Sequence, residues 1–224
     1  MIDKRVSTIA QALDGLSDGA CIMVSGFGGA GVPGNLMHAL DALAVKDLTI
    51  IVNSLRVFDG LAPGVFGERR VRKAVCSAAR GRLGEPASYE VQWSEGSLDI
   101  EMSPQGSFAE RIRAGGAGIA AFYTPTGVGT ALTDGKEIRE FDGVPHALET
   151  ALTADFALIR GHVADRLGNV GFRGSQMNFG PAMAAAAKVA VVEVDEISEQ
   201  PLAQRMIDVP GIYVDRVIAL PDRR

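Results

Sequence analysis

The stretch DGACIMVSGFGGAGVP, residues 18–33, predicts how the rest of the chain is organised. Its apolar run Cys21–Val24 is bounded by Asp-Gly and by glycines, which is typical of a buried strand. Four glycines within residues 26–31 then allow a tight turn and the close approach of a ligand, because glycine has no Cβ. Pro33 and an apolar pattern at helical spacing over residues 34–44 predict a helix. We expect this strand, glycine loop and helix N-terminus to favour a bound phosphate or carboxylate.

Residues 26–31 also match the dinucleotide-binding fingerprint G-x-G-x-x-G. That fingerprint expects an acidic residue about 20 positions further on, at the end of the second strand. The predicted second strand, Leu48–Val52, is followed instead by Asn53 and Ser54. A nicotinamide or flavin oxidoreductase stays open as an alternative that lacks its ribose-binding carboxylate, and so does a loop whose glycines merely close a turn.

The composition is that of an ordinary globular chain: of 224 residues, 47% are apolar and 22% are charged, with a net charge of -5. This charge gives no basic footprint for nucleic acid, and no run approaches the roughly 20 apolar residues that span a bilayer. The N-terminal residues lack the features of a signal peptide, so we expect a cytoplasmic protein. Cys21 and Cys76 are expected to be buried thiols in strands. His38, His146 and His162 are scattered, so no metal site is expected.

From residue 48 onward, short β-branched runs alternate with helical patterns, which predicts an α/β fold with a mostly parallel open sheet flanked by helices. Such sheets bind ligands at the carboxyl ends of their strands. The charged, turn-rich residues 134–149 predict a small antiparallel excursion over one edge of the sheet. Because no repeat or long linker interrupts the chain, residues 1–224 are expected to form a single domain. The predicted strands are residues 21–24, 48–52, 73–77, 98–102, 119–123, 156–160, 189–194 and 216–220, and the predicted helices are residues 5–15, 34–44, 87–95, 107–114 and 180–188.

A second candidate site lies where residues 102–113, MSPQGSFAERIR, leave a predicted strand and enter a helix. Ser107, with Glu110 three residues later, predicts an N-terminal capping box. This places the side-chain amide of Gln105, which donates and accepts hydrogen bonds, at a loop tip beside a helix N-terminus. From these residues alone, a solvated turn glutamine is the simpler explanation.

Together these stretches resemble the family I coenzyme A (CoA) transferases, in their first or A (alpha) subunit. Similar strings in that family cover the glycine loop of residues 18–33, the P-Q-G and following helix of residues 104–113, and a second glycine loop at residues 122–130. Residues 154–179 keep the family's order of D-F-A-L, D-R-x-G-N and N-F, and we expect an ion pair between Asp165 and Arg166 to fix the turn there. The resemblance runs from about residue 2 to residue 220 and implies the three-layer CoA-transferase fold.

The resemblance implies that CoA moves from an acyl-CoA, commonly succinyl-CoA, to a free carboxylate such as a 3-oxo acid. In the family a glutamate attacks the thioester, which gives an acyl anhydride and then a glutamyl-CoA thioester in ping-pong order. That glutamate belongs to a Glu-Asn-Gly motif of the second, B subunit, and no Glu-Asn-Gly occurs in this sequence. We therefore expect a chain that is active only with a B (beta) subunit, in an A2B2 heterotetramer, with CoA as a substrate and no permanently bound cofactor.

The resemblance also implies which residues form the site. Gln105 is the expected supporting catalytic residue, because the family's glutamine lies at its active site. The residues expected to bind CoA are Ser25, Gly26, Phe27, Gly28, Gly29, Ala30 and Gly31, and those expected to bind the substrate are Asn53, Arg56, Thr126, Gly127 and Gly129.

Two segments depart from the family's pattern. Residues 53–56 read NSLR in place of Asn-Asn-Ala-Gly, so that Arg56 could hold a second substrate carboxylate or lie in water. Residues 172–179, FRGSQMNF, lack two positive side chains of the family's F-R-K-S-A-R-N-F. Pocket differences of this size change discrimination between substrates, so the acceptor acid stays open. A non-catalytic acyl-CoA sensor or assembly subunit is a further alternative.

Overall fold

The computed structural model describes residues 2–81 and 84–220. The described strands are β1 (Cys21–Val24), β2 (Leu48–Val52), β3 (Val71–Cys76), β4 (Asp99–Met102), β5 (Ala121–Thr124), β6 (Ile138–Phe141), β7 (Val144–Thr150), β8 (Ala154–Arg160), β9 (Val163–Asp165), β10 (Val170–Gly171), β11 (Ala187–Val194), β12 (Glu196–Ser198) and β13 (Arg216–Ala219). The described helices are α1 (Ile9–Ala12), α2 (Gly34–Ala42), α3 (Phe58–Leu61), α4 (Pro63–Gly67), α5 (Ser88–Ser94), α6 (Gln105–Gly116) and α7 (Gly180–Ala186). Within these described ranges, no helix has both the length and the apolar character needed to cross a membrane.

Seven parallel strands form the central sheet, in the order β13-β11-β8-β1-β2-β3-β4. β1 lies in its middle, where Met23 stands opposite Ala157 of β8 and Ile51 of β2. Nearly all side chains of these three strands are buried, on both faces of the sheet. Strands that are covered on both faces read as continuous apolar runs rather than as alternating ones, which is the pattern seen in the sequence.

Helices cover both faces of this sheet, so the predicted three-layer α/β fold is confirmed. On one face α1–α5 pack through a cluster that includes Phe58, Phe66 and Tyr89. Phe66 meets the other two rings edge to face, at centroid distances of 5.1 and 5.5 Å. On the opposite face α6 and α7 bury Phe108 and Met183. Each layer therefore has its own apolar contact with the sheet.

The antiparallel excursion is confirmed, but it begins earlier than residues 134–149. β7 pairs with β6 on one side and with β5 on the other, where Tyr123 stands opposite Leu148. Residues 119–123, predicted as one more strand of the alternating series, therefore contribute to this small sheet. Arg111 of α6 donates to the carbonyl of Thr150 at 2.7 Å. The small sheet is thus fastened to the helix that begins at Gln105.

Several short elements were not predicted. β9, β10 and β12 form a third sheet, and α3 and α4 follow β2. These strands have two or three residues and these helices four or five, which is too short for a repeating apolar pattern to be recognised.

The first helix is shorter than the predicted residues 5–15, because the chain before it is extended. The amide of Val6 donates to the carbonyl of Val217, and the amide of Val217 donates to the carbonyl of Lys4. This pairing places the N-terminal residues along β13. Thr8 then caps α1 with its side chain, and the helix has only four residues.

The predicted capping box at Ser107 is wrong. α6 begins two residues earlier, at Gln105, with Pro104 as its N-cap and no side-chain capping bond. Ser107 is only 4% exposed, and Glu110 pairs with Arg113 at 2.6 Å. The fixed φ of proline prepares the backbone for a helix directly after it, so the chain enters α6 before the serine is reached.

The expected ion pair between Asp165 and Arg166 is also wrong. Asp165 is fully buried and accepts hydrogen bonds from three backbone amides and from the side chain of Asn169, at 2.9 to 3.1 Å. Burial by itself would raise the pKa of Asp165, but these hydrogen bonds lower it below its ordinary value. Arg166 donates instead to the carbonyl of Ile2 at 2.9 Å.

Candidate active site

The carboxyl ends of four neighbouring strands bring polar residues to one edge of the central sheet. Ser25 follows β1, Asn53 follows β2, Ser77 follows β3 and Ser103 follows β4. These residues are neighbours because the strands are parallel and end in register, with Val24 opposite Val52 and Cys76 opposite Met102. Open parallel sheets bind their ligands at this edge. The glycine loop and Gln105 both begin here.

The glycine loop carries a two-residue hairpin turn at its tip. The amide of Phe27 donates to the carbonyl of Ala30, and the amide of Ala30 donates back, each at 3.0 Å. Gly28 and Gly29 form the corner with φ of +57° and +88°, which is the geometry of a type I′ turn. A Cβ on either glycine would meet open space, and Phe27 is 50% exposed. The tip therefore offers its backbone to a ligand at the edge.

The base of the loop is tightly packed. A Cβ on Gly26 would lie 2.4 Å from the side chain of Val32, and one on Gly31 would lie 2.2 Å from the carbonyl oxygen of Gln176. The hydroxyl of Ser25 donates to the carbonyl of Gly31 at 2.7 Å and accepts from the amide of Arg160 at 3.2 Å. Of the residues predicted to bind CoA, those at the base shape the loop, and those at the tip face outward.

This contrast gives a prediction about stability. Gly31→Ala is expected to lower the free energy of unfolding by about 2 to 5 kcal/mol, because it adds both left-handed backbone strain and overpacking. Gly28→Ala adds only the strain, so a loss of about 1 to 2 kcal/mol is expected. Urea unfolding followed by circular dichroism measures both variants. Equal losses would contradict the packed base and open tip.

The N-terminus of α2 is occupied by the chain's own carboxylate. Glu193 of β11 accepts from the amide of Leu36 at 2.8 Å and from that of Asn35 at 3.5 Å. It is 1% exposed and pairs with Arg160 of β8 at 3.3 Å. Burial raises the pKa of Glu193, while the Leu36 amide and the Arg160 guanidinium act against that rise. The anion site expected at this helix is thus filled from within, which argues against the dinucleotide alternative, because that mode needs these amides for pyrophosphate.

The structure brings Gln105 and Asn53 together. The Nε2 of Gln105 donates to the Oδ1 of Asn53 at 3.0 Å. Asn53 is 6% exposed, and its backbone carbonyl accepts from the amides of Ser77 and Ala78, each at 3.0 Å. Asn53 is therefore fixed, and it fixes the orientation of the glutamine amide. A primary amide has two N–H groups, so one N–H of Gln105 remains for a ligand.

The second predicted glycine loop lies against the start of α6. A Cβ on Gly127 would be 3.6 Å from the side chain of Pro104, the residue before Gln105. Gly127 and Gly129 have φ of +86° and +81°, which favours glycine at both positions. Thr126 lies exposed between the strand and these glycines. Both predicted loops therefore border the first turn of the helix that carries the glutamine.

Arg56 has a role that neither sequence alternative named. It lies in a 3-10 turn, Leu55–Val57, and its Nη2 donates to the carbonyl of Gly81 at 2.9 Å. It is exposed, but it braces the segment after β3.

Carboxylates near this side of the fold are held by cations. Glu101 lies between Lys73, at 2.7 Å, and Arg111, at 2.6 Å. Burial by itself would raise the pKa of Glu101, but these two cations lower it below its ordinary value. Glu149 is 2% exposed and bonds Lys136 at 2.7 Å. These glutamates act as strand carboxylates, as expected from the sequence, rather than as free nucleophiles.

The two thiols are unreactive at neutral pH. Burial raises the pKa of Cys21 to about 11 and that of Cys76 to about 12. Cys76 is buried, while Cys21 is only partly buried. In the part of the chain that the structure describes, no group of three or more His, Cys, Asp or Glu residues is placed to hold a metal ion.

Three side chains that shape the site were not predicted to do so: Glu193, Arg160 and Asn178. Glu193 and Arg160 carry charges near the ends of strands that are otherwise apolar, and that contrast was the available signal. The side chain of Asn178 bonds the glycine loop. Its signal was weaker, since asparagine in a turn-rich segment is only a candidate for positive φ.

Comparison with known proteins identifies the relatives of this chain. A family model described as "Coenzyme A transferase" matches residues 6–220. The A subunit of the 3-oxoadipate CoA-transferase of Pseudomonas putida is 46% identical over 222 residues, covering 98% of this chain and 95% of that protein. The mitochondrial succinyl-CoA:3-ketoacid coenzyme A transferase 2A of Rattus norvegicus is 46% identical over 230 residues, covering 94% of this chain and 44% of that protein. A solved acyl-CoA transferase from E. coli O157:H7, in a thioester complex with CoA, shares the fold with a TM-score of 0.83 at 20% identity, covering 100% of this chain and 50% of that one.

The fold, the polar edge and these matches together define a transferase built on a parallel α/β sheet. The chain belongs to the coenzyme A transferase family, so the resemblance drawn from the sequence is confirmed. It aligns with nearly all of the separate Pseudomonas putida chain but spans less than half the length of the rat protein.

Proposed function

We propose that this chain is the A subunit of a CoA-transferase that moves CoA from succinyl-CoA to a free carboxylate such as a 3-oxo acid. The observation that carries this proposal is the oriented Gln105 amide, 3.0 Å from Asn53, at the sheet edge where the glycine tip also lies. The relatives support the substrate class, since their names specify 3-oxoadipate in one case and succinyl-CoA with a 3-ketoacid in the other.

The proposed reaction needs a nucleophile that this sequence lacks, because it contains no Glu-Asn-Gly motif. A glutamate supplied by the B subunit first attacks the acyl-CoA carbonyl and expels the CoA thiolate, which leaves an acyl-glutamyl anhydride. The thiolate then attacks the glutamyl carbonyl, so that the donor carboxylate departs and a glutamyl-CoA thioester forms. The acceptor carboxylate takes the same two steps in reverse, which returns the free glutamate.

The share of this chain is to supply hydrogen-bond donors. Each attack on a carbonyl places negative charge on its oxygen, and preoriented donors at that position lower the barrier. The free N–H of Gln105 and the outward amides of Gly28 and Gly29 are the donors that the described edge offers. Asn53 holds the glutamine in place, so its amide needs no reorientation as charge develops.

We further propose that the assembly is an A2B2 heterotetramer in the cytoplasm, with CoA bound only as a substrate. The Pseudomonas putida relative is named as one of two kinds of subunit, which supports a second type of chain. Light scattering of the co-purified complex should give a mass equal to two copies of each chain, and a mass equal to one copy of each would contradict the tetramer.

The test of the function is reconstitution with the chain encoded beside this one. The purified pair is screened with succinyl-CoA and acetyl-CoA as donors against a panel of 3-oxo acids and simple carboxylates. We expect transfer by the pair, none by this chain alone, and none by the pair after the B-chain glutamate is replaced by alanine. Transfer by this chain alone, or transfer that survives the loss of that glutamate, would refute the proposal. CoA binding without turnover would favour a non-catalytic acyl-CoA-binding subunit.

A further inference from the structure

Asn178 lies between the glycine loop and the short segment that precedes α7. Its side chain crosses from one to the other with five hydrogen bonds. Its Nδ2 donates to the carbonyl of Ala30, in the loop, and to those of Ser175 and Gln176, each at 3.0 Å. Its Oδ1 accepts from the amide of Gly26 at 3.1 Å and from that of Phe179 at 2.7 Å. We call these bonds the Asn178 bridge.

The bridge holds both ends of the hairpin turn. Gly26 lies just before the turn and Ala30 closes it, so one side chain fixes the entry and the exit of the tip. The two backbones are also in direct contact, since a Cβ on Gly31 would overlap the carbonyl of Gln176. Asn178 itself has φ of +20°, an unusual value for a residue other than glycine. A residue held in such a conformation by its surroundings is typical of a site whose geometry is fixed.

The bridge continues to the helix that carries Gln105. Phe179, the next residue, packs its ring edge to face on Phe108 of α6, with 5.4 Å between centroids. Phe108 is fully buried and lies one turn after Gln105. A chain of contacts therefore runs from the glycine tip, through Asn178 and Phe179, to the first turn of α6.

From this geometry we propose that Asn178 is a positioning residue, which sets the glycine tip in register with Gln105. The proposal rests on the proposed function, in which the tip and the glutamine stabilise the same developing charge. Misplacing a catalytic group by about 1 Å costs roughly 100-fold in rate, so even a partial loosening of the tip should be measurable. The proposal also gives residues 173–177, which differ from the family's pattern, a route by which to act on the loop.

The test uses Asn178→Asp and Asn178→Gly in the assembled enzyme. The aspartate keeps the shape but turns the donating group into an acceptor that faces three carbonyls. The glycine keeps the positive φ but removes the side chain. For both, we expect faster hydrogen–deuterium exchange at the amides of residues 26, 27 and 30, and a fall in kcat of roughly tenfold or more with a smaller change in KM.

The matched control is Asn169→Asp, which removes a comparable pair of bonds, to Asp165 at 2.9 Å and from the amide of Gly211 at 2.8 Å, in a different loop. It should lower Tm without changing exchange at residues 26–30, and kcat should stay within about twofold. Unchanged exchange in both Asn178 variants, or full activity of Asn178→Gly, would overturn the proposal. The exchange measurement does not depend on catalysis. If the wild-type assembly transfers no CoA, the proposed function fails while exchange still decides whether Asn178 positions the loop.

Discussion

Replacing Gln105 by leucine in the assembled enzyme is expected to lower kcat about 100-fold, the usual cost of losing one donor to a developing oxyanion. Leucine has a similar size and cannot donate a hydrogen bond. The effect should be confined to the transition state, because the amide acts on charge that appears during the reaction. The KM for acyl-CoA should therefore change much less than kcat, and steady-state kinetics with a varied donor separates the two parameters.

Two further variants sharpen this test. Asn53→Ala removes the partner that orients the glutamine amide, so it should lower kcat in the same direction but by less. Gln204→Leu makes the same substitution at an exposed glutamine of a 3-10 turn and should leave kcat unchanged. A Gln105→Leu enzyme with kcat within threefold of the wild type would mean that the glutamine is a solvated turn residue.

Replacing Glu193 by alanine is expected to cost about 3 to 5 kcal/mol of unfolding free energy, the range found when one partner of a buried ion pair is removed. The substitution removes one of the carboxylates that pair with the guanidinium of Arg160, which is 2% exposed and also pairs with Asp195. It also removes the acceptor from the amides of Asn35 and Leu36 at the start of α2. Urea unfolding of the purified chain measures the loss.

Two controls assign this loss to the buried position. Glu193→Gln keeps an acceptor for the helix amides and should cost about 1 to 3 kcal/mol. Glu110→Ala breaks the exposed pair with Arg113 and should cost at most about 1 kcal/mol. If Glu193→Ala costs no more than Glu110→Ala, the carboxylate does not hold α2 on the sheet.

The strands of the central sheet could be predicted because their signal is local. Cys21–Val24 and Leu48–Val52 were predicted to the residue, since both faces of these strands are covered and the sequence shows an uninterrupted apolar run. The glycine loop and Gln105 were found for a related reason, because each directly follows such a strand. The fold class and the edge that carries the candidate site followed from this alternation.

Pairing partners were harder to predict than strands. β5 has the composition of the parallel strands, yet it pairs with β7 in the small antiparallel sheet. The capping of α6 failed for a similar reason, since a serine and a glutamate at the right spacing do not reveal that Pro104 starts the helix earlier. In both cases a local pattern had two solutions, and contacts far along the chain selected one.

By itself the sequence determined the order of strand, glycine loop and helix, the placement of Gln105 after a strand and the family, because each depends on residues that are close together in the chain. Only the tertiary structure decided what these parts do to one another: Glu193 fills the helix end that a ligand was expected to occupy, and Asn178 joins a loop about 150 residues away. The physical reason is that a hydrogen bond or a buried ion pair is satisfied by whichever group lies within about 3 Å, and proximity across a folded sheet leaves no mark on spacing along the chain.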